Sequence, residues 1–246
     1  MTYLVAAARI QSAAELDGGR LRLHRDFRRF NLPVQLALAA AADVIPAAED
    51  PATMAVISLA PCQNGSPALY RWAETAIAVG AGTRLGATRM NPTHTLHVID
   101  NLALSAFVIA HQSDGYCLGV GGAPGQAWCA LEAMRERLAG GWEREGLLLA
   151  GDQARAADGS GGSGVALLFS ARRQLYSHLR TPVELTGIER RRLPASLPVS
   201  SHAAEGLCGL VGALMQPGRP AGRFAYVVPP DHTDGIDRVT VMLEIG

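Results

Sequence analysis

The feature that most limits how this chain can fold is an alternation of short, wholly apolar runs with longer segments of helical periodicity. Residues 54–59 (MAVISL) form a compact apolar run closed by Pro61 and Gly65, which reads as a central strand, and residues 66–79 then carry apolar side chains at helical spacing. Residues 32–44 are rich in Ala and Leu with Pro33 near the start, where a first helical turn tolerates proline, and read as a buried helix. Residues 101–111 (NLALSAFVIAH) are apolar on nearly every side, so the expected helix is buried all round. A short strand over 117–120 leads through Gly121 and Gly122, suited to a tight turn, to Pro124 at the first turn of the next helix. That helix is the clearest of the chain. Ala127, Ala130, Leu131, Met134 and Leu138 recur at three- and four-residue steps, Glu132, Arg135, Glu136 and Arg137 take the other face, and Gly140-Gly141 ends it.

Residues 3–8 read as an opening strand and the Arg-rich stretch 20–29 as a solvated loop. Residues 147–150 are a further apolar run, and DGSGGSG (158–164) reads as a flexible loop before a strand over 165–169. No Lys-Ser or Lys-Thr follows those glycines, which argues against a phosphate loop. Residues 190–198 read as a Pro- and Arg-rich connection, 203–215 as a small-residue helix, and 224–228 with 239–245 as two terminal strands. The fold class is α/β, with mixed pairing at the end.

Composition narrows the function. Lys plus Arg equals Asp plus Glu at 22 each, so no global field attracts nucleic acid or an anionic membrane. Charged residues make up 18% against a usual figure of about 25%, with 48% apolar, a thin charged surface that hints at a covered interface. Cys62, Cys117, Cys129 and Cys208 stand far apart without CxxC spacing, which argues against a zinc site or a disulfide framework and for reduced cytoplasmic thiols. No run approaches the 18 or so apolar residues of a membrane span, and the N-terminus lacks a basic region before its apolar run. Neither cofactor nor metal is expected.

The run 91–110 (NPTHTLHVIDNLALSAFVIA) resembles the segment of the β-ketoacyl synthases that reads Ser-Pro, a gap, then an asparagine opening a small-residue helix, with Pro92 and Asn101 in register. GYCLGVGGAPGQAWCALEAMRERLAGG and then GLLLAGDQARA are similar to that family's nucleophile strand, its turn, the buried helix and a strand ending in Gly-Asp. GSGVALLFS, SHAAEGLCGLVGALMQ and VTVMLE resemble its glycine-led strand, its histidine-led helix and its closing strand. The resemblance implies a compact, reduced thiolase-like fold with buried helices between mixed sheets. It implies a single domain over 1–246, with 1–170 like the N-terminal half and 198–246 a reduced remnant of the C-terminal half.

Two departures bear on function. In the family the nucleophilic cysteine sits at the turn into the buried helix, where the helix dipole and two histidines favour its thiolate. Register from Ala130-Leu131 puts Pro124 or a neighbour there; Cys129 lies too far into the helix and Cys117 too early. The stretch between Phe169 and His202 looks too short for the strand and loop that deliver the first catalytic histidine, which leaves His202 as a remnant candidate. A lone acid–base histidine supplies about 10²–10⁴ in rate, short of an enzyme's 10⁶ or more.

The resemblance extends to shortened ketosynthase-like proteins of the chain-length-factor type in aryl polyene biosynthesis. It implies a non-catalytic subunit paired as a heterodimer with a full-length ketosynthase and working with acyl carrier protein, its acyl pocket drawn from His97, Asp100, Asn101 and His202. Arg28-Arg29 or 190–192 could dock the acidic carrier, or simply solubilise the chain. Two alternatives stay open: an acyl-thioester enzyme using His97, Asp100, His111 or His202, and a homodimeric acyl-chain-binding protein. Against the former, His94 and His97 read as loop residues, and Asp100 and His111 as caps of the helix between them.

Overall fold

The computed structural model describes residues 1–16, 19, 21, 24, 27–61, 66–78, 99, 101–121, 126–153, 161–173, 179, 183–192, 203–216, 222–228 and 237–245. Eight strands, β1 (Tyr3–Ser12), β2 (Ala55–Leu59), β3 (Cys117–Val120), β4 (Glu145–Asp152), β5 (Gly161–Ser170), β6 (Val183–Arg192), β7 (Gly222–Val228) and β8 (Asp237–Ile245), form one mixed sheet in the order β3-β2-β4-β5-β1-β6-β8-β7. β2 runs parallel to β3 and β4, while β5 is antiparallel to β4 and β1. The last three strands are an antiparallel set, joined to β1 through the pairs Tyr3–Glu184 and Leu4–Val183.

Strand alternation divides the core between the two sheet faces. Leu147, Leu149, Ala166 and Leu168 face one layer, with α1 (Leu32–Val44) and α3 (Leu102–His111). Leu148, Ala150, Val165 and Leu167 face the other, with α4 (Gln126–Ala139) and α5 (Ala203–Leu214). α5 touches β4, β5 and β1 and also β7, and α4 touches β2, β4 and also β6. The sheet therefore curls, and these helices lie between its two parts. The remaining helix, α2 (Ser66–Ala78), packs extensively on no described element.

α1 starts where the Asn31 side chain accepts from the Val34 amide, with Pro33 in the first turn. Its approach to the sheet needs glycine: a Cβ at Gly162 or Gly164 would run into Leu36, and one at Gly151 into the Pro33 carbonyl. Over 161–164 this corrects the flexible-loop reading of 158–164; residues 158–160 lie outside the described residues. Gly161–Gly164 open β5, and two of these glycines admit the helix.

Three further expectations change. β6 lies in the stretch after Phe169 that was expected to be too short for a strand, and it takes in 190–192 of the expected connection 190–198, whose remainder lies outside the described residues. An irregularity between Leu185 and Gly187 breaks its two-residue period, and a charged end hides it further. The segment 20–29 is not simply solvated, because Leu21 and His24 are buried. α3 is not buried all round: Leu102, Ala103, Leu104 and Phe107 are covered, but Ile109 is 77% exposed on the side that no described element packs against.

Candidate functional site

The parallel strands β2 and β3 run side by side from Val56–Cys117 to Leu59–Val120, and the Ala60 amide donates to the Val120 carbonyl (2.8 Å). Beyond their carboxyl ends, where open α/β sheets bind ligands, lies a cavity of about 270 Å³ lined by Ala60, Asn101, Gly119, Val120 and Gly121. Asn101 opens α3. Its carbonyl accepts from the Ser105 amide (2.9 Å), while its side chain makes no capping bond to its own helix. A Cβ placed on Gly119 would lie 3.1 Å from the Asn101 Cβ, so glycine is what lets the amide side chain lie over β3. Gly121 plays the same part toward the Gln126 side chain at the first turn of α4. The start of α4, with its partial positive charge, therefore borders the same rim.

Pro124 and residues 122–125, His94, His97, Asp100, His202 and Cys62 lie outside the described residues. Of the acyl-pocket residues expected from sequence, Asn101 is described and lines the cavity. None of the three described thiols does. Cys117 is at the far end of β3, three residues and about 10 Å before Val120, with its Sγ donating to the Gly115 carbonyl (3.4 Å) and burial pushing its pKa up. Cys208 is buried in α5, its Sγ donating to the Gly164 carbonyl (3.4 Å), and burial pushes it up to about 12, which suppresses the thiolate. Cys129 is half-buried in α4 beside the core-facing Ala130.

His111 does not join a pocket with Asn101. The ten residues of α3 separate the two by about 15 Å. At that far end His111 stacks on Phe107 (4.3 Å between ring centroids) and meets His24 edge-on (6.5 Å). His24 is a residue that the sequence did not single out, since neither spacing nor motif marks it. Burial, then the neighbouring His111, lower its pKa against a raising hydrogen bond at the Ala106 backbone, and its Nδ1 has no partner; burial lowers His111 too. Among the described residues no group of three or more His, Cys, Asp or Glu is placed to hold a metal ion. No helix among them is long and apolar enough to cross a membrane.

No family profile and no curated protein sequence matches the chain. Solved structures do. A chain of the AntDE:AntF assembly, described as a type II polyketide acyl carrier protein in complex with its ketosynthase, matches with a TM-score of 0.68 at 9% identity, over 99% of this chain and 99% of that one. The ishigamide ketosynthase/chain length factor gives 0.66 at 14% identity, over 100% and 99%. The ketosynthase ApeO in complex with its chain length factor ApeC, from Xenorhabdus doucetiae, gives 0.59 at 12% identity, over 99% of each chain. The chain has the thiolase-like fold of the ketosynthases. The matches run from end to end, so the thiolase-like frame extends through β6, β7 and β8 as well as the first five strands of the sheet. Within that frame the cavity occupies the strand ends beside the turn into α4, the turn at which the sequence resemblance places the nucleophile.

Proposed function

We propose that this chain is a non-catalytic ketosynthase-like subunit, a chain length factor, that pairs with an active β-ketoacyl synthase in polyketide, aryl polyene or fatty-acid-type biosynthesis. One observation carries the reading: among the described residues the cavity is lined by Ala60, Asn101, Gly119, Val120 and Gly121, with neither thiol nor imidazole among these five. Condensation needs a nucleophile that holds the acyl group covalently. An amide and glycine backbone can border an acyl chain but cannot attack it. The partner supplies the thiolate, and the carrier protein delivers the extender unit to that partner.

The sheet edge supports pairing at this place. β3 is the outermost strand, and its sequence, Cys117-Leu118-Gly119-Val120, carries none of the charges or prolines that ordinarily block an edge from pairing. In this reading residues 1–170 correspond to the N-terminal half and 198–246 to a reduced C-terminal remnant. Pro124 or a neighbour takes the nucleophile's place, and His97, Asp100 and His202 join Asn101 around the acyl chain in a cytoplasmic, cofactor-free complex. The test is coexpression with a ketosynthase encoded beside this chain, followed by size-exclusion chromatography and an elongation assay on malonyl-carrier protein. A stable one-to-one complex whose product length responds to mutations in this chain is the expected result. No complex, together with acyl-thioester turnover by the isolated chain, would replace this reading with that of an enzyme.

A further inference from the structure

α2 stands apart from the other helices. α1 buries nine side chains and α4 five, whereas none of the described side chains of α2 (69, 70 and 72–78) is buried. A 13-residue helix is marginal in water unless a face of it is packed. At 100° per residue, Leu69, Ile77 and Tyr70 fall within about 100° of one another on the helix, and they are 46%, 82% and 71% exposed. Three large apolar side chains on one strip, on a helix that makes no extensive contact with a described element, are the pattern of a helix that lies in another protein's groove, anchored at i, i+1 and i+8.

We propose that α2 is a docking arm whose strip of Leu69, Tyr70 and Ile77 inserts into an apolar groove of the ketosynthase partner, alongside the β3 edge. This inference rests on the pairing proposed above. Two observations assign the occupant. Ala60 lines the cavity and bonds to Val120, and Ser66 follows it by six residues, so α2 begins within about 20 Å of the cavity rim. A partner that pairs at that rim to bring a thiolate to a cavity whose described lining carries none therefore has α2 within reach. The second observation is area. A four-residue edge strand supplies only a few hydrogen bonds, and a stable interface covers about 800 Å² on each side. The three exposed side chains offer about 400 Å², near half of that requirement.

The test compares the wild-type chain, Tyr70→Glu/Ile77→Glu, Ile77→Ser, and Glu136→Lys on the solvent face of α4 as a control. Each is coexpressed with the ketosynthase, and each is melted alone. The expected result is an isolated-chain melting temperature within about 2 °C of wild type. Affinity for the ketosynthase falls at least about thirty-fold in the double glutamate variant and less in Ile77→Ser. The control pairs normally, and amide exchange across 66–78 slows when the wild-type complex forms. Unchanged affinity in the variants while wild type pairs would overturn the arm and leave the pairing reading intact. A large drop in the isolated chain's melting temperature would show that the strip packs within the chain, and overturn the arm too. A wild-type homodimer dissolved by Tyr70→Glu/Ile77→Glu would assign the face to a second copy, against the proposal. Failure of wild type to pair with any ketosynthase would remove both readings together.

Discussion

The two ends of the parallel strands β2, β3 and β4 each carry a cavity of about 270 Å³, and the two have opposite chemistry. At the amino end the lining includes Glu49, Asp50, Glu143, Glu145, Arg144 and Trp142, and the surroundings are tied together. The buried Glu145 carboxylate accepts from the Glu49 amide (2.7 Å) and the Asp50 amide (3.4 Å), and the Asp114 amide donates to the Ala52 carbonyl (2.8 Å). Arg137 donates to Glu143 (2.8 Å from Nε) while its guanidinium lies over the rings of Tyr116 (3.6 Å) and Trp142 (4.8 Å). At the carboxyl end the described lining is uncharged and small. One end holds the strands in place; the other leaves room for an apolar chain without the desolvation of charges that the first would demand.

If that division holds, substitutions at the amino end change stability and leave product length alone. The largest effect is expected for Glu145→Ala, which orphans two backbone amides in a buried place. The cost is about 2–4 kcal/mol, or a fall of roughly 4–16 °C in melting temperature, with product length unchanged in the folded complex. Glu145→Gln, which keeps an acceptor, should lose less. A shift in product length with Glu145→Ala would break the division.

A smaller effect comes from acid. His24 and His111 sit at the amino end of β3, where α3 finishes, and both have pKa values lowered from 6.5, chiefly by burial. The unfolded chain therefore binds more protons than the folded one as pH falls below 6.5. Their contribution to stability is full above pH 6.5 and is lost as pH drops through the lowered values. Melting temperature measured between pH 7.5 and 5 should fall on the acid side, and a His24→Gln/His111→Gln variant should flatten the profile. A wild-type profile already flat would remove the histidines from the account. Smaller again is Arg137→Ala, where a half-buried, ring-stacked ion pair gives about 1 kcal/mol, read as a melting shift of a few degrees.

These unequal ends were unequally legible. α1, α3, α4 and β3 follow from spacing because their periodicity is unbroken, and the small-residue turn around Gly121 announced the site's place. The amino-end network did not: Glu145 caps residues nearly a hundred positions away, a relation carried by topology and by no local pattern. His24 was hidden in the same way, by a basic segment that reads as solvent-facing until α3 is laid against it. Within the site, Asn101 was found through its helix start. Gly164 was read as part of a loop and Gly119 as one residue of a strand, although both act by admitting a neighbour.

The smallest expected effect on stability belongs to the open end, and it probes function most directly. Gly119 is exposed, sits on β3 without a positive φ, and its missing Cβ points at the Asn101 side chain across the cavity wall. Gly119→Leu is therefore allowed by the backbone. Its 3.1 Å contact is with the Asn101 Cβ and is relieved by a shift of a few tenths of an ångström between β3 and the start of α3. The melting temperature should stay within about 3 °C of wild type, a change below roughly 1 kcal/mol. The added side chain, however, fills the cavity that the proposed function gives to the acyl chain, so on that proposal the complex with a ketosynthase should release products shorter by at least one two-carbon extension. Gly119→Ala should give an intermediate distribution. Products of wild-type length made at the wild-type rate by Gly119→Leu would mean that the acyl chain does not enter this cavity, and the contrast between the two ends would then be one of packing alone.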